Sequence, residues 1–386
     1  MISGISGVVV VNVLALGRSF RSLGKANMSE LLRVMPMAVQ DLADEWFTFE
    51  PLKAAIGSAA VRDIQQGPRS GGTTFVLLHY LTGVPNGSLR GRPWLPPTDG
   101  SDTVIALAEQ AARQHKVAIR TGAEVERIRV RDDATTGVVL VGGEEIAAPM
   151  VLSTLDPART LLRLVDPVWL DPEFLLAVKN IKFRGATAMI YYGLDALPFE
   201  HGSGVERSLT GVVSLSNSLD AIEKAYDAAK YGGVSEHPHV EITMPSLLRP
   251  RDGGRHVLVA KAQYVPHTLR DNAPWDAAKS SALGDAVTAA ISRLIPRFNN
   301  VVVERVVLTP RDLEQTFGLT GGAVTMGEMT LDQILFMRPV AGWGQYATPI
   351  TGLYLGGPGT HPGPGVFGAS GLLAAKRMLA DSRKRK

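Results

Sequence analysis

Apolar residues recur every three or four positions in three early stretches, at residues 29–47, 50–61 and 101–115. This spacing places them on one face of a helix, so each stretch predicts a helix. The second stretch begins with Glu50-Pro51, and proline is favoured in the first turn of a helix. The third begins at Ser101 or Asp102, whose side chains can cap the first free N–H groups.

A strand-rich stretch follows between residues 117 and 153. Residues 117–120 predict a short strand. Ile128 and Val130 alternate with arginines, which indicates a half-exposed strand. Gly142-Gly143 separates two further runs and suits the two-residue turn of a hairpin. Residues 150–153 form a continuous apolar strand that leads into a loop at 154–157.

The remaining elements alternate unevenly. Strands are predicted at residues 186–193, 239–244, 256–265, 301–308 and 352–355, and helices at 218–231, 275–295 and 366–379. Asp156 and Asp171, each before a proline, predict two more helix starts. Thr330-x-x-Gln333 matches a capping box and predicts a helix to about Met337.

This mixture predicts an α/β chain with an α+β insert. We expect one domain of mixed sheet and helices from residues 28–98 and 160–343. Residues 99–159 and 344–382 form a second, interrupted domain in this interpretation. An atypical apolar amino terminus at 1–27 and a basic tail at 383–386 flank the two domains.

The composition is ordinary for a soluble globular protein, with 45% hydrophobic and 20% charged residues among 386. The chain has no cysteine, which excludes disulfides, thiolate metal sites and cysteine-based redox centres. This absence fits a reducing compartment, and we expect a cytoplasmic protein. Residues 1–16 are apolar, but they lack a basic start and are shorter than the ~20 residues of a membrane span.

The net charge of +3 is located at the carboxyl terminus, where Arg383, Lys384, Arg385 and Lys386 outweigh Asp381. No basic stripe with interleaved aromatic residues occurs elsewhere, so we expect no nucleic-acid partner. A basic tail of this kind is usually a solvated segment. A weak contact with acidic lipid or nucleic acid is the alternative, and peripheral contact with a membrane stays open.

The clearest chemical feature is a glycine-rich segment at residues 356–368, between a predicted strand and a predicted helix. Glycine has no Cβ, so such a loop can bring its backbone close to a ligand. The helix that begins near Val366 offers unpaired N–H groups and the positive end of its dipole. This combination suits a phosphate or the electron-rich pyrimidine edge of a reduced flavin. A turn that only connects the two elements is the alternative.

Gly363, Gly365 and Gly368 have the GxGxxG spacing of the dinucleotide fingerprint, but their context differs. The loop from Leu355 to Val366 is too long for the tight strand-to-helix turn of that motif, and no strand follows the helix. We therefore interpret the match as a false fingerprint.

The eight histidines are scattered, and no P-loop, HExxH, GxSxG or metal-spaced cluster is present. Only His361 falls in the candidate site, as a contact to flavin or substrate or as a packed imidazole. It is the one weak candidate for a catalytic side chain. Trp343 and Tyr346 either line an apolar pocket or are core aromatic residues.

These segments resemble phytoene desaturase-like FAD-dependent oxidoreductases. The sequence GLYLGGPGTHPGPGVFGASG, from Gly352 onward, is similar to the carboxyl-terminal FAD signature of that family. Four segments within residues 308–349 resemble the branch that includes the pyridine nucleotide-disulphide oxidoreductase domain-containing protein 2 group. They are LTPRD, FGLTGG, LDQILFMRP and YATP. Shorter likenesses begin near Ser29, so the resemblance covers nearly the whole chain.

The resemblance implies a glutathione-reductase-type FAD domain, built from residues 99–159 and 344–382, with a substrate domain inserted between them. It implies that Val125 holds the adenine through backbone groups and that Thr154 lies near the cofactor. The loop residues implied to contact FAD are Gly356, Gly357, Gly359, Thr360, His361, Gly363, Gly365, Val366 and Gly368. The first four would approach the ribityl chain and pyrophosphate, and the last four the isoalloxazine.

One part of the family pattern is not found. Members begin with a strand, a GxGxxG turn and a helix, whereas Gly4 and Gly7 precede an apolar run instead of following a strand. We therefore expect the βαβ unit that binds the pyrophosphate to be missing. Its loss would leave a sheet edge and a hydrophobic face uncovered.

Three hypotheses about function remain. The first is an FAD-dependent desaturase or dehydrogenase that removes hydrogen from an apolar or isoprenoid-like small molecule, with the hydride taken by the flavin. The second is a protein that kept the fold without the flavin and acts as a binding or regulatory module. The third is a truncated copy of the enzyme. The sequence assigns no electron acceptor and no oligomeric state.

Overall fold

A computed structural model of the chain describes residues 18, 21–82, 101–200, 202, 204–248, 254–365 and 368–384. The apolar start at residues 1–16, Val366 and the last two residues of the basic tail lie outside these ranges. The first described part is helical and contains α1 (Gly24–Val34), α2 (Val39–Trp46), α3 (Glu50–Ala60), α4 (Thr73–Thr82) and α5 (Ser101–Gln114).

The prediction of one helix over residues 29–47 is wrong, because α1 ends at Val34 and α2 begins at Val39. Pro36 lies in the break between them. Proline lacks the N–H that a helix interior needs, and it disfavours helical geometry in the preceding residue. The Pro36 carbonyl instead accepts a hydrogen bond from Gly72 N at 2.9 Å, just before α4 begins.

A three-stranded antiparallel sheet follows, with β1 (Val125–Arg131), β2 (Ala134–Leu140) and β3 (Glu145–Ala147) in the order β1-β2-β3. The predicted turn at Gly142-Gly143 is confirmed, and both glycines have positive φ. The prediction of a strand at residues 117–120 is wrong. A strand needs a hydrogen-bonded neighbour, and no strand of the described part pairs with this segment.

The next elements are β4 (Val151–Ser153), α6 (Pro157–Arg159) and α7 (Pro172–Lys179). Asp156 and Asp171 cap α6 and α7 as predicted, because each carboxylate accepts hydrogen bonds from backbone N–H groups of the first turn. The Asp156 cap starts α6 directly after the loop that follows β4.

The largest core is built on a five-stranded antiparallel sheet with the order β6-β7-β8-β5-β9. Its elements are β5 (Thr187–Leu194), α8 (Val205–Leu209), β6 (Val213–Ser214), α9 (Leu219–Lys230), β7 (His239–Thr243), β8 (His256–Gln263), α10 (Ala277–Leu294), α11 (Phe298–Val301) and β9 (Val302–Leu308). Ile190 and Tyr192, two residues apart on β5, are fully buried in one cluster with Val287 and Ile291 of α10, as the period of a strand requires.

After β9 comes α12 (Pro310–Phe317). The helix predicted from Thr330 to Met337 is wrong, because this stretch forms two separate 3-10 turns. Leu335 has a φ of 52°, which a right-handed helix does not allow. Gln333 does not complete a capping box, and its side-chain amide donates to Pro339 O at 3.1 Å.

The described part ends with β10 (Leu353–Leu355) and α13 (Ala369–Lys384). β10 pairs in parallel with β4, with Leu353 opposite Val151 and Leu355 opposite Ser153. At the amino end of β10, Thr351 O accepts a hydrogen bond from Thr135 N of β2 at 2.9 Å. Segments far apart in the sequence therefore share one backbone network.

Apolar side chains on α5 are exposed. Val104, Ile105 and Leu107 are 51%, 64% and 60% exposed, although an amphipathic helix normally buries such a stripe. Val117 and Ile119, which follow α5, are exposed as well. Within the described ranges the parallel sheet has only β4 and β10, and parallel sheets are normally covered on both faces.

None of the described helices is both long enough and apolar enough to cross a bilayer.

Candidate functional site

Two loops meet at the carboxyl ends of β4 and β10. Residues 154–157 follow β4, and the glycine-rich loop, residues 356–365, follows β10. Gly356 N donates a hydrogen bond to Ser153 O at 2.8 Å, so the pairing continues into the loops. Ligands of open sheets with parallel strands bind outside the carboxyl ends of the strands. This junction is therefore the candidate site.

Close contact between the two loops explains two of the glycines. A Cβ on Gly357, whose φ is 77°, would lie 2.8 Å from Thr154 O. A Cβ on Gly359 would lie 2.6 Å from Pro157 Cδ and 3.2 Å from Met326 O. Neither position has room for a side chain, so both glycines are required by packing alone.

Thr360 closes a turn inside the glycine-rich loop. Its side chain is 1% exposed, and its Oγ1 donates to Gly357 O at 3.0 Å. Its carbonyl accepts from Gly363 N at 2.8 Å. The hydroxyl proton is used within the loop, so only oxygen lone pairs remain for a ligand. Gly365 and Gly368 have positive φ, and Val366 between them lies outside the described residues.

His361 has a ring nitrogen without a partner. Its Nδ1 is buried and makes no hydrogen bond to any residue in the described ranges. Burial lowers the pKa of His361, so the ring is neutral at pH 7. The His361 carbonyl accepts from Tyr346 Oη at 3.0 Å and from Ser370 Oγ at 3.2 Å. The backbone of His361 is thus held in place, and its ring keeps one nitrogen that has no partner among the described residues.

Arg338 is a buried cation that braces the glycine-rich loop. Its Nε donates to Pro358 O at 2.9 Å, and its Nη2 donates to Thr325 O at 2.6 Å and Gly327 O at 3.0 Å. A fourth bond runs from Nη1 to Gln333 O at 3.3 Å. Burial lowers the pKa of Arg338 to about 10, so it stays protonated at pH 7.

No described carboxylate forms a salt bridge with Arg338, whose side chain is among the largest that are fully buried. Within the part of the chain that the structure describes, its guanidinium donates only to backbone carbonyl groups. An unneutralised cation next to a loop of close-packed glycines favours negative charge in the site.

Three non-glycine residues around the loop have left-handed backbone geometry. The φ angles of Met326, Leu335 and Tyr346 are 51°, 52° and 66°. Tyr346 O accepts a hydrogen bond from Leu355 N at 2.8 Å, so this geometry is held directly beside β10. Each such residue costs about 1–3 kcal/mol, and residues of this kind cluster at functional sites.

Thr154 and Val125 have different positions relative to the loop. The Thr154 side chain is exposed beside Gly357. Val125 lies at the start of β1, in the three-stranded sheet and not at the carboxyl ends of β4 and β10. Both carboxylate oxygens of Asp156 accept structural hydrogen bonds, Oδ1 from Arg159 N at 2.8 Å and Oδ2 from Thr320 Oγ1 at 2.7 Å.

The two aromatic residues before β10 differ. Tyr346 is a buried core residue whose hydroxyl also holds the glycine-rich loop. Trp343 is 37% exposed and packs edge to face against Phe174, with ring centroids 5.5 Å apart. Both are structural residues in this arrangement.

Arg338 and Glu328 were not among the site residues predicted from the sequence. Glu328 is 1% exposed and accepts from Arg184 Nε at 2.7 Å and from Gln65 N at 3.0 Å. Burial raises the pKa of Glu328. The sequence did contain a signal for Arg338, because this single charged residue lies between the apolar run Ile334–Met337 and Pro339.

The residues fit a flavin. The loop offers backbone without side chains, an orphaned nitrogen on His361 and a buried positive charge on Arg338. Among the residues that the structure describes, no group of three or more His, Asp and Glu side chains is placed to hold a metal ion.

Comparison with known proteins identifies relatives of the same kind. Residues 69–379 match the family described as flavin-containing amine oxidoreductase. The pyridine nucleotide-disulfide oxidoreductase domain-containing protein 2 of Rattus norvegicus is 34% identical over 371 residues, which cover 94% of this chain and 63% of that protein. The chain therefore spans less than two thirds of the length of this relative.

Two further relatives are more distant. The lycopene-forming phytoene desaturase of Pseudescherichia vulneris is 26% identical over 68% of this chain and 51% of its own length. The solved structure of a putrescine oxidase with bound putrescine superposes with a TM-score of 0.56 at 14% identity, covering 92% of this chain and 70% of that chain. The last comparison shows a shared fold.

The resemblance to phytoene desaturase-like flavoproteins is thus confirmed. FAD is the cofactor of the matched family, whose members are oxidoreductases. The match to residues 69–379 and the 34% identity to the rat protein show that the chain belongs to the flavin-containing amine oxidoreductase family.

Proposed function

We propose that this chain supplies the substrate side and the closing loop of an FAD-dependent oxidoreductase that takes hydrogen from a small molecule. The observation that carries the proposal is the junction at the carboxyl ends of β4 and β10. There Arg338 braces a glycine-rich loop that contains His361, whose Nδ1 has no hydrogen-bond partner among the described residues. When bound, FAD would supply the redox chemistry by accepting the hydride.

The chain's own residues would bind and orient the reactants. Gly356, Gly357, Gly359 and Thr360 would face the ribityl chain and pyrophosphate, and Gly363, Gly365, Val366 and Gly368 the isoalloxazine. Neutral His361 would offer a hydrogen-bond acceptor to the cofactor or substrate. Arg338 would stabilise negative charge that develops beside the loop.

In this proposal the two domains have different roles. Residues 28–98 and 160–343 would form the substrate domain, and residues 99–159 and 344–382 the FAD domain of glutathione-reductase type. Val125 would hold the adenine by its backbone, and Thr154 would lie near the cofactor. The resemblance to phytoene desaturase-like flavoproteins favours an apolar substrate. The absence of cysteine supports a cytoplasmic location.

A nucleotide-binding βαβ unit would complete the parallel sheet. The described residues contain no such unit, and the apolar stripe Val104, Ile105 and Leu107 of α5 is exposed. These observations support the proposal that a βαβ unit covers this stripe of α5 in the active flavoprotein. The second candidate is a family member that does not bind FAD alone and acts as a binding or regulatory module.

FAD titration of the purified chain, followed by absorbance and flavin fluorescence, tests the proposal. It is run with the chain alone and with a separately produced βαβ unit from a phytoene desaturase-like relative. We expect saturable flavin binding when the unit is present and weak binding when it is absent. A chain that stays colourless in both mixtures, while remaining folded, would contradict flavin binding.

A further inference from the structure

A cavity of about 280 Å³ opens at one end of the five-stranded sheet. Its walls come from residues 183–185 before β5, the end of α9, and residues 266–268 after β8, with Gln65 beyond α3. This volume is close to the lower end of ligand pockets, which begin near ~300 Å³. The cavity therefore has the size for one small organic molecule.

Arg184 and Lys230 contribute positive charge to the lining, and none of the described lining residues is acidic. His267 contributes an imidazole whose Nε2 lies 2.7 Å from Glu314 Oε2 behind the wall. Glu328 takes the Nε and Nη2 of Arg184, whereas Nη1 makes no hydrogen bond to any described residue. Because the Arg184 side chain is 46% exposed, this edge of the guanidinium is available to a second carboxylate, which is the group that it recognises best.

Gln65 provides an unsatisfied polar group in the same wall. The residue is 8% exposed, and its Oε1 is buried without a hydrogen-bond partner. Buried acceptors are normally paired, so this amide favours a ligand that brings an O–H or N–H donor. Gln65 N and Arg184 bind opposite oxygen atoms of Glu328. The Gln65 backbone therefore lies near the Arg184 guanidinium, and both residues line the cavity.

Two aromatic side chains, Phe183 and Tyr226, complete the lining with apolar surface. Such a wall favours a ligand with a planar apolar body. The residue preceding Glu328 is Gly327, whose carbonyl accepts from Arg338 at 3.0 Å. The cavity thus adjoins the segment that braces the glycine-rich loop.

We propose that this cavity binds a small hydroxycarboxylate with an apolar ring. Arg184 and Lys230 hold the carboxylate, Gln65 accepts from the hydroxyl group, and Tyr226 packs against the ring. Nothing in this assignment requires FAD, so the site is tested on the chain without cofactor and its outcome is separate from that of flavin binding.

Isothermal titration calorimetry with three matched probes tests the proposal. Mandelate carries the carboxylate, the hydroxyl group and the ring, mandelamide lacks the charge, and phenylacetate lacks the hydroxyl. We expect mandelate to bind about tenfold more tightly than either analogue, which corresponds to one good polar contact. Equal affinities for mandelate and mandelamide, or no binding of mandelate at millimolar concentration, would overturn it.

Variants locate the site. Lys230→Gln should weaken mandelate about threefold, as expected of an exposed ion pair, and Lys224→Gln on the same helix should have no effect. Gln65→Leu should remove the preference for mandelate over phenylacetate. Because Arg184 also neutralises buried Glu328, the double variant R184Q/E328Q tests it without stranding a charge, and it should weaken mandelate about tenfold. Unchanged affinity in Lys230→Gln and the double variant would place any binding elsewhere.

Discussion

Arg338 Nε lies 2.9 Å from the carbonyl oxygen of Pro358, and this contact joins a fully buried guanidinium to the glycine-rich loop. The other donors of Arg338 reach Thr325, Gly327 and Gln333. One side chain therefore fixes the loop against the segment between α12 and β10. The shape of the candidate flavin site depends on this cation as much as on its glycines.

Replacing Arg338 with methionine should strongly destabilise the protein. Four carbonyl groups lose a charged donor, and we expect the free energy of unfolding to fall by about 3 kcal/mol or more. Urea denaturation followed by circular dichroism measures the change. Arg311→Met, on the exposed side of α12, is the matched control and should change it by less than about 0.5 kcal/mol. Equal effects of the two substitutions would contradict the bracing role of Arg338.

Two glycines near the site should respond to alanine in opposite directions. Gly357→Ala places a Cβ 2.8 Å from Thr154 O at a positive φ, and we expect a loss of about 1–3 kcal/mol in the free energy of unfolding. Gly371 lies inside α13 with no atom near its Cβ position. Gly371→Ala should therefore add about 0.5–1 kcal/mol. Thermal and urea unfolding measure both, and a neutral Gly357→Ala would show that the two loops do not touch.

His239 should make stability depend on pH. The ring is fully buried between Ser58 Oγ at 3.0 Å and Ser216 Oγ at 2.8 Å, and burial lowers its pKa to about 4. The unfolded chain, with a histidine pKa near 6.5, then binds more protons than the folded chain between these values. Stability from this residue is complete above about pH 6.5, and about 3 kcal/mol is lost as the pH falls to about 4.

Urea denaturation between pH 4.5 and 7.5 checks the contribution of His239. His239→Gln should flatten the pH dependence relative to the parent chain. His237→Gln, at an exposed position two residues earlier, should leave it unchanged. A His239→Gln curve parallel to that of the parent chain would show that another group carries the dependence.

The exposed stripe of α5 predicts a residue that matters for association and not for folding. Ile105→Ser should change the free energy of unfolding by less than about 0.5 kcal/mol, because Ile105 is 64% exposed. The same change should weaken binding of a βαβ unit, measured by calorimetry. Gln110→Ser, on another face of α5, is the control. Strong destabilisation by Ile105→Ser, or equal weakening by both changes, would contradict the docking of a βαβ unit on this stripe.

Local signals in the sequence predicted much of the fold. Asp156 and Asp171 before prolines located two helix starts, and Gly142-Gly143 located a hairpin turn. Each of these signals determines the structure of residues only a few positions away, so it can be recognised in the sequence. Where a local signal failed, as at Thr330, a left-handed residue at Leu335 overrode it through tertiary contacts.

Long-range relationships were not predicted from periodicity or spacing. Three relationships join segments that are separated in the sequence: the parallel pairing of β4 with β10, the hydrogen bonds of Arg338, and the position of His239 between Ser58 and Ser216. The glycine-rich loop was found because glycine composition is itself visible. Arg338, which holds the loop, is marked in the sequence only by its place between an apolar run and Pro339, and its partners became known from the structure.

Hydrogen exchange with and without FAD tests the central claim most directly. The chain, supplied with a βαβ unit and saturated with FAD, is compared with the same mixture without FAD by mass spectrometry of its peptides. If the loop closes a flavin site, backbone amides of residues 356–368 exchange more slowly when FAD is bound, while peptides of α10 are unaffected. FAD binding that leaves residues 356–368 unprotected would contradict the account.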